Sequence, residues 1–419
     1  MNRKIHVSLI EMSMCLSNAM DLVSPYVVDH HKRVAYIATS IGKEMGLSEE
    51  SQEDLMMAGI LHDIGAISLR DRLDALKFEI DHPHIHAELG YRLIKSFPQF
   101  SRISNLVRYH HLAWDHGKGE SFDNEHIPLT CHILHIADRI AALVKMKHEI
   151  LDQSDHIFDK IRRGSGKKFV PLLVNVFSDI SRRESFWFDL VSPSITHILT
   201  ARSKHITVEL DLDRLLDLSG LFSKIIDFRS RFTATHSSGV AATAKALGKL
   251  TGLTGQECRM LRIAGYLHDI GKLAVPAEIL EKPGRLTREE EHIVKKHSYD
   301  TYWTLRAVKD LELINTWASL HHECLDGRGY PFRCSAKDIP AGSRIIAVAD
   351  VFTALTEDRP YRPGMSKYDS LNTLEQMAGE NALDADIVST LVRNYDEVNL
   401  IRLAMQAEES TEYGSFRLN

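Results

Sequence analysis

The sequence predicts an all-α protein made of two tandem helical domains that arose by internal duplication. Three observations predict it. Apolar residues recur at helical spacing: in 29–45, Val34, Ile37, Ala38 and Ile41 fall on one face. Convincing runs of alternating, strand-like residues are absent. An eight-residue motif occurs twice, AGILHDIG at 58–65 and AGYLHDIG at 264–271, with seven identities.

The repeat extends outward from this motif. His30 precedes His62 by 32 residues, and His236 precedes His268 by the same interval. Each early histidine is followed four residues later by a valine, Val34 or Val240. Downstream comes a single histidine, His86 or His297, and 24 residues later a pair, His110-His111 or His321-His322. An Ala-Asp within an apolar run closes each copy, at Asp138 and Asp350. The first periodic helix stops at Gly46, and its counterpart over 236–249 reaches Gly252. Between the His-Asp pair and the next histidine, the second copy is five residues longer and carries Pro276, Pro283 and Gly284, which mark a loop. These signals divide the chain into a first domain over 1–190, a connector over 191–215, a second domain over 216–405 and a frayed polar tail over 406–419.

Composition limits the function classes. The 419 residues are 44% hydrophobic and 26% charged, which excludes a disordered chain, a collagen or a disulfide miniprotein. Fifty-one basic against 57 acidic residues leave a net charge of −6, so no nucleic-acid polymer is expected as partner. No stretch reaches the ~18 apolar residues of a membrane span, and the N-terminus lacks a signal-peptide core. A cytoplasmic protein is expected. The five cysteines form no CxxC pair, which argues against a disulfide framework or a structural zinc site. The unusual figure is 23 histidines.

Histidine is the commonest metal ligand, and the repeated positions decide where this matters. The second copy assembles His236, His268, Asp269, His297, His321, His322 and Asp350. Five imidazoles and two carboxylates exceed the needs of one ion, and mixed N/O sets suit Fe or Mn. Neighbouring residues on a helix point about 100° apart, so His321 and His322 suit a broad two-metal cleft. An aspartate beside a histidine can bridge two ions through its two oxygens. Two ions ~3.5–4 Å apart can activate water and clamp a phosphoryl group. Taken singly, a His-Asp or His-His pair is usually a polar surface feature. A carboxylate in an apolar run is harder to explain that way, because burying it unpaired is costly.

His268-Asp269-Ile270-Gly271-Lys272, HHECLDGRGYP at 321–331 and ADVFTALTEDRPYR at 349–362 together resemble an HD-GYP domain. The resemblance spans about 220–400. HD-GYP domains belong to the HD metal-dependent phosphohydrolases and open cyclic dinucleotides. It implies an all-α HD-type fold and two divalent ions in the active site. His236, His268, Asp269 and Asp350 would hold one ion; Asp269, His297, His321 and His322 would hold the other. Lys272, with Asp269 a catalytic residue, would sit beside the scissile phosphate. Gly327, Arg328, Gly329, Tyr330 and Pro331 would form the substrate loop, with Arg344 and Arg362 as further phosphate or base contacts. Arg344 and Arg359 read equally well as structural ion-pair residues. Some family members carry a glutamate where Phe232 and Tyr26 stand here, which leaves two ions expected rather than three. Ser298 follows His297 where the family often has proline, and Cys324 lies inside the signature.

The first copy resembles a plain HD domain over about 25–190. His30, His62, Asp63, His86, His110, His111 and Asp138 are kept as a second candidate metal site, with His82 and His84 close to His86. Ala66 replaces the lysine, and HHLAWDHGKG replaces the GYP stretch. This half reads as a phosphomonoesterase acting on the linear dinucleotide product, as a regulatory half, or as a structural twin. For the whole chain the resemblance implies a phosphodiesterase that opens cyclic di-GMP or 3′3′-cGAMP to a linear 5′-phosphorylated dinucleotide. A cyclic-dinucleotide receptor and a general nucleotide phosphohydrolase are the alternatives. A homodimer and an internal pseudo-dimer both stay open.

Overall fold

The computed structural model describes residues 6–22, 28–66, 73–74, 77–78, 84–203, 208–227, 235–282, 284–358 and 363–416. Tyr26, His82, Phe232, Arg359 and Arg362 lie outside them. The chain divides into two compact units, one of Met1–Val23 with Glu209–Asn419 and one of Ser24–Val208. Both are helical. Among the described residues, β-structure is limited to two pairs of two-residue strands and one isolated bridge. None of the described helices is long and apolar enough to cross a membrane.

In the first-half unit, α2 (His30–Glu44) packs against α3 (Glu49–Leu61) and α6 (Leu129–Leu143). Around them lie α4 (His84–Ile94), α5 (Ser101–Tyr109), α7 (Leu151–Arg163), α8 (Pro171–Ser181), α9 (Glu184–Leu190) and α10 (Ile195–Arg202). The expected boundary at 190 falls short. Helix α10 packs on α2, and Arg202 donates to the Tyr36 carbonyl and to the hydroxyls of Thr39 and Ser40.

The second-half unit repeats this plan. Helix α12 (His236–Leu250) packs on α13 (Gly255–Leu267) and α17 (Ala341–Thr356). The Thr254–Glu257 capping box starts α13, and a second box, Thr287–Glu290, starts α15 (Arg288–Arg306). Helix α16 (Glu312–Ser319) leads into the His-His pair. Helix α11 (Leu212–Asp227) opens the unit, α14 is Ala277–Leu280, and α18 (Lys367–Gly379), α19 (Ala385–Arg393) and α20 (Tyr395–Phe416) close it. The tail expected to fray from 406 instead continues α20 to Phe416. It is anchored in part by a 3.6 Å Lys224–Glu409 ion pair.

The largest departure from the sequence boundaries is at the start of the chain. Helix α1 (Leu9–Asp21) packs against α15 and the turn Ile270–Ala274, inside the second-half unit. Strand β1 (Val7–Ser8) pairs antiparallel with β2 (Glu209–Leu210) of the same unit. The reason is the composition of α1. Leu9, Ile10, Met12, Met14, Cys15, Leu16, Ala19 and Met20 are all buried, so the helix needs packing partners around most of its circumference, with only the side of Glu11 and Asn18 partly open. Periodicity shows that a helix needs enclosing but not which copy encloses it.

Candidate metal centres

In each copy the same elements deliver the same side chains. The histidine of the early position opens a helix, as His236 opens α12 and His30 opens α2. The His-Asp pair follows α13 or α3, the single histidine rides on α15 or α4, and the His-His pair follows α16 or α5. The last aspartate sits on α17 or α6. The glycine after His-Asp brings these parts together. A Cβ on Gly271 would lie 2.0 Å from the carbonyl oxygen of His297, and one on Gly65 2.1 Å from that of His86. Only glycine lets the His-Asp turn sit against the helix of the third histidine.

The predicted ligands converge. In the second copy His236 Nε2 lies 3.0 Å from Asp350 Oδ1, and His268 Nε2 lies 3.2 Å from Asp269 Oδ2. On the other side His297 Nε2 is 3.4 Å and His321 Nε2 4.0 Å from Asp269 Oδ1. His236, His268 and Asp350 form one group of mutually close donor atoms, and His297, His321 and His322 form another. One oxygen of Asp269 faces each group. The first copy has the same division: Asp63 Oδ2 is 3.4 Å from His62 Nε2, while its Oδ1 is 3.2 Å from His86 and 3.7 Å from His110. His30 Nε2 lies 3.2 Å from Asp138 Oδ1, and His86 Nε2 lies 2.9 Å from His111 Nε2.

Whether these residues suit a metal is decided by their hydrogen bonds. His62, His110, His268, His297 and His321 each donate Nδ1–H to the carbonyl three residues earlier, at 2.6–2.9 Å. That fixes the tautomer and leaves Nε2 as a bare acceptor. Nε2 of His30, His62, His110 and His268, and Oδ1 of Asp63, Asp138 and Asp269, are buried without a hydrogen-bond partner. Several lie 3–4 Å from one another but out of line for bonding. An unmet buried polar atom costs roughly 1–3 kcal/mol, so such clustering is unfavourable unless a cation satisfies it. The donor set fits divalent metal in both copies.

The electrostatics agree. Burial pushes His297 down to about 3 and His322 down to about 4, and holds His321 well below its usual value, so all three imidazoles are neutral, the form that can bind a cation. Burial opposes ionisation of Asp269, but His268 and Lys272 outweigh it and hold the carboxyl well below the ordinary range. Lys272 Nζ donates to Asp269 Oδ2 at 2.5 Å. The first copy has buried Ala66 there and uses another cation: Arg139, where the second copy has Val351, donates from Nε to Asp138 Oδ2 at 3.1 Å.

The remaining predicted residues divide. Gly327 has φ +77, and a Cβ on Gly329 would lie 2.2 Å from the Cys324 nitrogen, so both glycines are required by the loop. Tyr330 stacks 4.8 Å from His322 with Pro331 next to it, which brings this loop to the metal cluster. Arg328 is exposed and spends its guanidinium on Asp326, at 2.7 Å from Nε. Arg344, read either as a substrate contact or as a structural ion-pair residue, makes structural bonds. It pairs with Asp384 at 2.9 Å and donates to the carbonyls of Ile339 and Ala336. Its counterpart six residues before Asp138 is His132, which bonds the Gly119 carbonyl at 3.0 Å. In both copies this position ties the helix of the last aspartate to the loop after His-His.

Two residues escaped the sequence. Glu323 accepts the backbone N–H groups of Phe332, Arg333 and Cys334 at 2.6, 3.1 and 2.9 Å, which fastens the far end of the Tyr330 loop. Glu357 accepts from His236 Nδ1, at 3.1 Å to each oxygen. A carboxylate directly after His-His was the available signal for Glu323. Glu357 had none, being 121 residues from its histidine.

Residues 27–143 and 220–387 each match the family model of the HD domain. The chain is 31% identical to the 3′3′-cGAMP-specific phosphodiesterase 1 of Vibrio cholerae over 98% of its length and 97% of the relative's. The chain belongs to the HD-GYP family of cyclic-dinucleotide phosphodiesterases. Another relative, the 3′3′-cGAMP-specific phosphodiesterase 3 of the same organism, is 26% identical, with 91% of this chain and 94% of that protein covered. The crystal structure of a cyclic GMP-AMP-specific phosphodiesterase of V. cholerae matches 94% of this chain and 98% of its own, with TM-score 0.67 and 24% identity. The two chains share the same fold. HD domains bind divalent metals, in keeping with the two clusters.

Proposed function

We infer that the second half opens a cyclic dinucleotide, 3′3′-cGAMP or cyclic di-GMP, to a linear 5′-phosphorylated dinucleotide. The observation that carries this is Asp269, whose two oxygens face two separate histidine groups beside Lys272. His236, His268, Asp269 and Asp350 would hold one ion, and Asp269, His297, His321 and His322 the other, Fe or Mn. Such a pair, when bound, supplies activation of water and neutralisation of phosphate charge. Lys272 supplies a fixed ammonium: burial opposes its charge, but Asp269, Asp350 and Asp227 more than offset that. It can bind a phosphate oxygen or pass a proton to the departing 3′ oxygen. Tyr330, stacked on His322, offers a ring face to a base.

The first half acts as a phosphomonoesterase on the linear product. Support comes from the retained ligand set together with the replaced loop and the relocated cation. The test is a product time course with Mn²⁺ or anaerobic Fe²⁺, supplying cyclic di-GMP and 3′3′-cGAMP. A linear 5′-phosphorylated dinucleotide should appear first and then lose its terminal phosphate. Binding without any product would overturn the enzymatic assignment in favour of a receptor. A linear product that keeps its phosphate would remove the role given to the first half.

Glu323→Ala should free the far end of the Tyr330 loop. Three hydrogen bonds to a carboxylate are lost, each worth roughly 1.5–3 kcal/mol. The KM for the cyclic dinucleotide is expected to rise by about tenfold or more, while bound metal stays unchanged. An unaltered KM would show that the loop does not touch substrate.

A further inference from the structure

The family match of the second half ends at residue 387, yet α20 (Tyr395–Phe416) packs along α12, the helix that His236 opens. Two buried side chains of α20 reach the surroundings of that histidine. Gln406 donates from Nε2 to the carbonyl of Thr235, the residue before His236, at 3.2 Å. The helices are close there: a Cβ on Gly239 would lie 2.8 Å from Gln406 Nε2. One turn earlier, buried Arg402 donates to Gln406 Oε1 and lies 5.8 Å from the Phe352 ring, on the last part of α17 before Glu357. Burial disfavours the charge of Arg402, and Glu357 leads the groups that support it. Glu357 in turn accepts from Nδ1 of His236. At the corresponding place, seven residues after the last aspartate, the first copy has Lys145.

We propose that α20 is a working part of the second metal centre. Gln406, held by Arg402, fixes the Thr235 carbonyl at the start of α12, Glu357 fixes the His236 ring, and this relay sets the affinity of the ion held by His236, His268 and Asp350. The proposal rests on those three residues being ligands. A carboxylate behind a ligating imidazole fixes the ring and raises its basicity, and loss of such a partner typically weakens metal binding 10–100-fold. Glu357, Arg402 and Gln406 are therefore positioning residues.

The test uses the full chain and Mn²⁺ alone, with bound metal counted after equilibrium dialysis over graded concentrations. Glu357→Gln should weaken one class of Mn²⁺ site about 10–100-fold, leaving the other classes in place. Gln406→Ala and Arg402→Lys should shift the same class in the same direction. Raising Mn²⁺ should restore ring opening with the KM for cyclic dinucleotide unchanged, which a merely destabilised fold would not do. Mn²⁺ binding in Glu357→Gln and both α20 variants equal to that of the parent overturns the relay. His236→Ala separates the two levels. If it also binds Mn²⁺ like the parent, the ligand assignment beneath the proposal has failed. If it loses the ion while the relay variants keep it, only the relay has failed. Should Gln406→Ala unfold, Glu357→Gln and Arg402→Lys still decide the matter.

Discussion

Asp269→Asn should abolish ring opening. Asparagine keeps the shape but loses the charge and one of the two oxygens. It can no longer present an oxygen to both histidine groups, and an amide turned toward Lys272 would set N–H against Nζ where the carboxylate accepted. We expect a fall of about 10³-fold or more in kcat, equivalent to roughly 4 kcal/mol of barrier. The comparison is Asp63→Asn, which makes the same change in the first copy. It should leave ring opening intact and abolish only the later loss of terminal phosphate. Product analysis by chromatography reads both at once. Ring opening in Asp269→Asn within tenfold of the parent would remove the second cluster as the seat of the reaction, and ring opening lost in Asp63→Asn would place it in the first.

Removal of residues 1–23 should destabilise the second half severely, although the HD-domain match there begins only at 220. Eight apolar side chains of α1 are buried, and each contributes roughly 1.5–3 kcal/mol if a leucine or methionine, less if alanine or cysteine. The loss is on the order of 10 kcal/mol, comparable to the whole stability of a domain. A chain of 209–419 alone is expected to show no cooperative thermal transition, or one far below that of the full protein. A version with 1–23 fused back through a flexible linker should recover it. A stable, metal-binding 209–419 fragment would mean that the packing of α1 contributes little.

The residues that converge in the two clusters were legible because duplication supplies its own alignment. Intervals of 32 and 24 residues recur, and chemistry repeated at fixed intervals points to a common centre. The helical class followed from periodicity, and the glycines after each His-Asp followed from the motif. What could not be read was whatever depends on distant pieces of chain meeting. Glu357 and His236 are joined only by the fold. Arg344 stayed open between a phosphate contact and a structural ion pair, because the carboxylate it pairs with, Asp384, lies 40 residues further on. Arg139 was hidden for another reason. It replaces an apolar residue of the other copy, so the repeat itself drew attention away from it.

The place of α1 has a consequence for how the chain comes into being. The first-half unit, Ser24–Val208, is an insertion in sequence between α1 and the rest of its own unit. During synthesis α1 emerges ahead of that insertion, and its partners on the Ile270–Ala274 turn and α15 follow roughly 250–300 residues later. At 5–20 residues per second this delay is on the order of tens of seconds. Through that interval a helix with eight apolar side chains to bury has no native surface to cover it, while the inserted unit can already fold. Ribosome-bound chains halted before residue 270 should therefore expose α1 to a hydrophobic probe or a chaperone, and chains halted beyond 320 should hide it. The second half is completed by a helix made before the inserted unit and acquires its stability after it.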